Sequence, residues 1–119
     1  MKVLMFIASS LDGGAEKVVA DLSNALTAQG VEVVVAAFAE SLWLSRLSER
    51  VVVHRLTSSE EWYDPRLYLQ LRRIVVTERP DVVHSHGAKG SAVIARVARL
   101  TQLLQVATKH NSRKGKIFN

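Results

Sequence analysis

The positions where this chain could do chemistry are a pair of adjacent glycines, Gly13 and Gly14, and three histidines, His84, His86 and His110. Gly13 and Gly14 fall where the apolar run Met5-Phe6-Ile7-Ala8 stops and an amphipathic pattern begins, so Ile7 to Lys17 reads as strand, tight loop, helix. Glycine lacks Cβ, can take positive φ and lets a ligand come up against bare backbone. The first N–H groups of the following helix have no intrahelical partner, and the helix dipole adds partial positive charge there. Together these make an anion site, with a phosphate or diphosphate as the favoured ligand. The competing reading is a plain corner between strand and helix.

The glycine pair departs from the dinucleotide pattern G-x-G-x-x-G, because its glycines are adjacent and position 17 is Lys, and this disfavours a nicotinamide or flavin enzyme. Glu40, near the end of the second apolar run, stands where a ribose-binding carboxylate would. No phosphate loop of the G-x-x-x-x-G-K-[ST] type occurs. His84 and His86 are two apart, so on a strand they point the same way. An H-x-H pair can ligate a metal only with further ligands, for which His110 or Asp12 would have to serve, and no metal site is expected. His84 reads as a histidine buried in the sheet. His86, beside Gly87, reads as the one that faces a ligand, as a hydrogen-bonding or acid-base group. His110 reads either as a solvated loop residue or, among Lys109, Asn111, Ser112, Arg113, Lys114 and Lys116, as part of a set of donors for phosphate or sugar hydroxyls. Trp43 with Leu44 and Leu47, and Trp62 with Tyr63, read as core, the alternative being a lip for a membrane interface or a lipid-linked acceptor.

The elements that must position these residues alternate along the chain. Strands are expected at Val3 to Ala8, Val31 to Phe38, Val51 to Leu56, Asp81 to His86 and Leu103 to Thr108. Between them, helical spacing marks about Gly14 to Gln29, stopped by Gly30, a short patterned segment over Leu42 to Leu47, a helix around Leu67, Leu71, Ile74 and Val75 that ends near Glu78, and another around Ala92, Val93 and Val97. Thr57 to Pro65 reads as a loop. The valine-rich second run fits a strand buried on both faces, as in a parallel sheet. Right-handed crossovers make 3-2-1-4-5 the most economical strand order, with helices on both faces. The chain then reverses its winding between strands 1 and 4, and the loop Ser9 to Gly14, the corner His84 to Gly87 and the exit Lys109 to Ser112 open onto one rim.

Composition narrows the field. The chain has 119 residues, 48% of them hydrophobic, which suffices for one core. Absence of cysteine excludes disulfides and thiolate metal sites and fits a reducing cytoplasm. The first apolar run is too short to span a membrane. A formal charge of +5 suits an anionic partner. Nucleic acid is not expected, because the basic residues are dispersed and the aromatics are not interleaved with them.

Three stretches carry a family resemblance: Leu11-Asp12-Gly13-Gly14-Ala15-Glu16-Lys17-Val18, Pro80-Asp81-Val82-Val83-His84-Ser85-His86-Gly87 and Val106-Ala107-Thr108-Lys109-His110. In that order and spacing the chain resembles the amino-terminal domain of the retaining GT-B glycosyltransferases of family 4. The resemblance implies a Rossmann-like α/β domain and transfer of a sugar from a nucleotide-sugar donor, such as a UDP- or GDP-hexose, to an acceptor hydroxyl with retention and no obligatory cofactor. It implies that Gly13 and Gly14 lie against the donor diphosphate, that His110 lies by the reacting sugar as the catalytic position, and that the His86 segment lines the acceptor side. Lys109, Asn111 and Arg113 would orient the acceptor: a glycan, a lipid or a phosphorylated small molecule. The family's carboxyl-terminal domain, with its E-x7-E motif and most nucleotide contacts, is not in residues 1–119. These residues are therefore expected to be a single, incomplete amino-terminal domain, inactive alone and completed in cis or trans, in the cytoplasm or peripherally at the inner face of the membrane. The rival reading is a non-catalytic module that holds a nucleotide or phosphate. A histidine-metal hydrolase is a third.

Overall fold

In the computed structural model, which describes residues 1–8, 13–101 and 104–108, five parallel strands form one sheet. The strands are β1 (Lys2–Ile7), β2 (Glu32–Phe38), β3 (Val52–Leu56), β4 (Val82–His86) and β5 (Leu104–Thr108), in the spatial order β3-β2-β1-β4-β5. The expected topology is the observed one, with strand ends displaced by about a residue. The helices are α1 (Gly14–Ala28), α2 (Pro65–Glu78) and α3 (Ala88–Thr101), and the short patterned segment is a 3-10 turn over Leu42–Arg46.

Alternation along β1 explains the layers. Val3, Met5 and Ile7 face one way and join Val19, Ala20, Val33, Val35, Trp43 and Val51 in a core beneath α1 and the 3-10 turn. Leu4, Phe6 and Ala8 face the other way and join Val34, Phe38, Leu56, Leu67, Leu71, Ile74, Val93 and Val97 beneath α2 and α3. A strand buried on both faces cannot alternate apolar with polar, which is why the first two runs are almost uninterrupted Val, Ala, Leu and Phe.

Local chemistry closes each element. Gly30, at φ +89°, ends α1, and its N–H donates to the carbonyl of Thr27. The Asn24 amide on α1 donates to the Arg46 carbonyl and its oxygen accepts from the Ser48 N–H, so the 3-10 turn is tied to the helix that covers it. Asp64 caps α2 at the Arg66 N–H, ahead of Pro65 in the first turn. The Arg66 guanidinium pairs with that carboxylate, and with the Ser59 donors it holds Asp64 well below the usual carboxylate range. At the opposite end of α2, Glu78 accepts from His54 of β3 at 2.6 Å and from Lys2 of β1 at 3.3 Å. The His54 hydrogen bond lowers its pKa most, Lys2 adds to this, and partial burial opposes it.

Both acids have depressed folded-state values, so their stabilisation is complete above the ordinary carboxylate pKa and disappears as pH falls through the folded value. Thermal melts from pH 7 down to pH 3 are expected to show a falling Tm, with a shallower fall in Glu78→Gln and in Asp64→Asn. An unchanged slope in both variants would contradict this assignment.

Candidate functional site

The strand order reverses between β1 and β4, so the crevice at their carboxyl ends is where a ligand is expected. Two corners meet there. From β1 the chain passes to the α1 N-cap, Gly13, which is extended at φ −116° and ψ −163°. From β4 it passes through Gly87, at φ +82°, into α3. The second corner is pinned from within: Ser91 donates both its N–H and its hydroxyl to the Gly87 carbonyl, and its hydroxyl lies 3.0 Å from that of Ser85. In the first turn of α3, Gly90 is buried, and a Cβ placed there would already touch the Ala8 N–H group at 3.4 Å and the Phe6 ring at 3.6 Å. That close approach sets the start of α3 against the exit of β1 and brings the two corners side by side.

The glycine that needs its conformational freedom is not the expected one. Gly13 and Gly14 both avoid positive φ, and among the described rim glycines only Gly87 uses it. What Gly13 and Gly14 contribute is bare, exposed backbone at a helix N-terminus. One of its donors is already engaged, because Oε1 of Glu16, a side chain only 5% exposed, accepts from the Gly13 N–H at 2.9 Å. A Cβ on Gly13 would sit 3.1 Å from that oxygen. Glu16 thus closes half a capping box, and among the described residues the N–H groups of Gly14, Ala15 and Glu16 stay open as donors of the first turn. The position of Glu16 three residues after the N-cap is the sequence signal for this contact.

The two strand histidines exchange the environments expected of them. His86 is buried, 1% exposed, whereas His84 is only half-buried. Their rings stack at 4.2 Å between centroids and 30° between planes. The register aligns Met5 with His84 and Ile7 with His86, which puts both rings on the α1 side of the sheet. The 3-10 turn and α1 cover β1 and β2 on that side, so the middle of β4 stays more open than its end, which tucks in beside Ile7. Among the described residues no group of three or more acidic or histidine side chains could hold a metal ion. His110, Lys109, Asn111 and Arg113, together with Asp12 and the rest of the Ser9 to Asp12 loop, lie outside the described residues.

The aromatic residues divide. Trp43 is fully buried, as expected of core, but Trp62 and Tyr63 are 54% and 64% exposed and are not core. They pack edge to face, and the Arg96 guanidinium lies 5.3 Å from the Trp62 ring centroid while donating to the Tyr68 hydroxyl. Arg96 is exposed and is held in place by these contacts. The loop from Thr57 to Pro65 is therefore fastened to α3 through the Trp62 contact with Arg96.

Comparison with known proteins bears on what this arrangement serves. Among curated proteins, none matches the chain. One solved structure similar to it is MurG from Acinetobacter baumannii, with a TM-score of 0.72 over 97% of this chain, 36% of that protein and 16% sequence identity. At that identity the likeness is one of fold: the open parallel sheet corresponds to the amino-terminal half of a GT-B fold, and the chain spans about a third of the length of MurG. In sequence, residues 12–118 match the family model for glycosyltransferase family 4, and because that match spans most of the chain, the protein belongs to glycosyltransferase family 4.

Proposed function

We propose that this chain is the acceptor-side, amino-terminal part of an enzyme that moves a sugar from a nucleotide-activated donor, a UDP- or GDP-hexose, to an acceptor hydroxyl with retention at the anomeric carbon. The observation that supports this most is the pairing of the α1 N-terminus with the β4 corner at the switch point of a family 4 chain. Departure of a nucleoside diphosphate develops negative charge on phosphate oxygens. Fixed N–H groups at Gly14 and Ala15, aimed into a cleft that a second domain closes, stabilise that charge without reorganising. Gly13 and Gly14 give the diphosphate access to backbone. His110 hydrogen-bonds the reacting sugar, and Lys109, Asn111 and Arg113 orient the acceptor. His86, at the carboxyl end of β4, supports the acceptor side, and the His84 ring stacks against it from the middle of the strand.

On this reading the reaction belongs to synthesis of cell-envelope polysaccharide, lipopolysaccharide or glycolipid, on the cytoplasmic side. The acceptor is a glycan, a lipid or a phosphorylated small molecule; neither a metal nor a nucleic acid takes part. A carboxyl-terminal domain, in cis or in trans, supplies most nucleotide contacts, and residues 1–119 alone do not catalyse. Calorimetry on the 119-residue chain is expected to show UDP and GDP binding no tighter than about millimolar, strengthened by the complementary domain, because only half of the cleft is present. Micromolar binding by the chain alone would favour the rival nucleotide-holding module, and sugar transfer by it would overturn the incomplete-domain reading. Glu16→Gln keeps an acceptor for the Gly13 N–H and removes a negative charge from the anion site, so UDP affinity should rise several-fold at low salt and less at high salt. Unchanged affinity would place the diphosphate elsewhere.

Contact with a membrane surface fits the same reading. Among the described residues no helix is long and apolar enough to cross a membrane. The outer face of α2 nevertheless carries Leu69 and Val76, 66% and 55% exposed, between exposed Arg66, Arg72 and Arg73, and Trp62 and Tyr63 precede it. Apolar side chains flanked by arginines suit the headgroup boundary of an anionic bilayer. Vesicles of phosphatidylglycerol and phosphatidylcholine should shift tryptophan emission to the blue through Trp62, since Trp43 is already buried. The shift should vanish in Trp62→Ala and with pure phosphatidylcholine. A shift that survives Trp62→Ala would contradict this surface.

A further inference from the structure

Two strands away from the switch point, the carboxyl ends of β2 and β3 border an open pocket of about 390 Å³ that neither the family match nor the rim described above accounts for. Phe38 and Leu56 border it but are almost wholly covered by the core, and its accessible walls are Glu40 and the segment from Thr57 to Glu60. The walls are held in place. The Ala39 N–H donates to the Leu56 carbonyl at 3.0 Å, and Arg55 donates to the Ala39 carbonyl at 2.7 Å from outside the lining. Gln70 of α2 makes a two-way pair with Thr57, accepting its N–H at 2.9 Å and donating to its hydroxyl at 2.7 Å. Asp64 fixes Ser59 through both its N–H and its hydroxyl. A cavity with walls tied in this way exists before a ligand arrives, which lowers the ordering cost of binding.

Its chemistry is the reverse of the rim's. Two carboxylates and the hydroxyl-bearing residues Thr57, Ser58 and Ser59 line it, and among the described residues no lysine or arginine does, in a chain of net charge +5. A phosphate or carboxylate ligand is therefore repelled. A ring bearing several hydroxyls is accepted, because a carboxylate can take hydrogen bonds from two neighbouring hydroxyls and the Thr57, Ser58 and Ser59 hydroxyls can pair with others. An amino group on that ring adds attraction to Glu40 and Glu60. Glu40 is the residue whose place at the end of β2 suggested a ribose carboxylate; the cavity gives it a hydroxylated ligand without requiring a dinucleotide.

We infer that this cavity is a subsite for a neutral or amino-bearing sugar ring of the acceptor, remote from the reacting hydroxyl. The inference rests on the proposed sugar transfer for its biological meaning, but the binding itself does not depend on a donor. Neighbouring strands lie about 4.8 Å apart, so the cavity is roughly 10–15 Å from the β4 corner, the reach of a second or third sugar unit. Binding energy from such a unit positions the reacting one.

The test is ligand-observed NMR titration of the 119-residue chain with glucosamine, glucose and glucose 6-phosphate, with no nucleotide present. Glucosamine should bind with about millimolar affinity, glucose more weakly, and glucose 6-phosphate weakest. Glu40→Gln and Glu60→Gln should each weaken glucosamine at least about fivefold and narrow its advantage over glucose, with thermal melts at the wild-type temperature. Equal or tighter binding of glucose 6-phosphate, absence of any saturable sugar binding, or a glucosamine affinity untouched by Glu40→Gln would each overturn the subsite. Failure of sugar transfer or of UDP binding, with these sugar titrations as expected, would strike the proposed reaction and leave the cavity's ligand class standing.

Discussion

Everything in this domain follows from the burial of β1 on both of its faces. Val3, Met5 and Ile7 must be covered on one side and Leu4, Phe6 and Ala8 on the other, so helices are needed above and below the same strand. Right-handed crossovers satisfy that requirement only if the chain winds outward from β1 in one direction through β2 and β3 and in the other through β4 and β5. The reversal leaves the carboxyl ends of β1 and β4 without a connection passing over them, and the crevice is there as a consequence of covering the strand.

The rim is built by close approach. Gly90 lets α3 start against the backbone of Ala8, Gly87 turns the chain out of β4, and the bare N-terminus of α1 lies beside them. Charge is distributed unevenly along this edge. At the switch point, open N–H groups favour an anion, tempered by the carboxylate of Glu16; at the β2–β3 end, carboxylates and hydroxyls favour an uncharged or cationic ring. An edge with opposite preferences at its two ends suits a reaction in which an anionic leaving group and a hydroxylated acceptor must be held apart and oriented. On the far side, Glu78 braces β3 and β1 through His54 and Lys2, so the sheet that carries the rim is held from its amino-terminal end as well.

Strand order, helix positions and the corner at Gly13 were legible in the residues because burial on both faces leaves a continuous apolar run that nothing else produces. Gly30 as a stop was legible for the same local reason: only glycine enters the left-handed region without strain. Long-range pairing was not. Trp43 and Trp62 look alike until the sheet decides which one it covers. His84 and His86 share a face by strand periodicity, yet which of them is buried depends on where α1 ends across the sheet, a distance no local pattern encodes. The cavity beside Glu40 depends on Asp64 and Gln70, which act on Ser59 and Thr57 from another element, so its lining reads as an ordinary polar loop in sequence.

The central claim is that the crevice at β1 and β4 is the anion-facing part of the molecule. Amide chemical-shift mapping of the isotope-labelled chain during titration with pyrophosphate tests it most directly. The largest shifts are expected on Gly14, Ala15 and the amides from Gly87 to Lys89. Shifts confined to the arginines on the outer face of α2, with the α1 N-terminus unmoved, would contradict it.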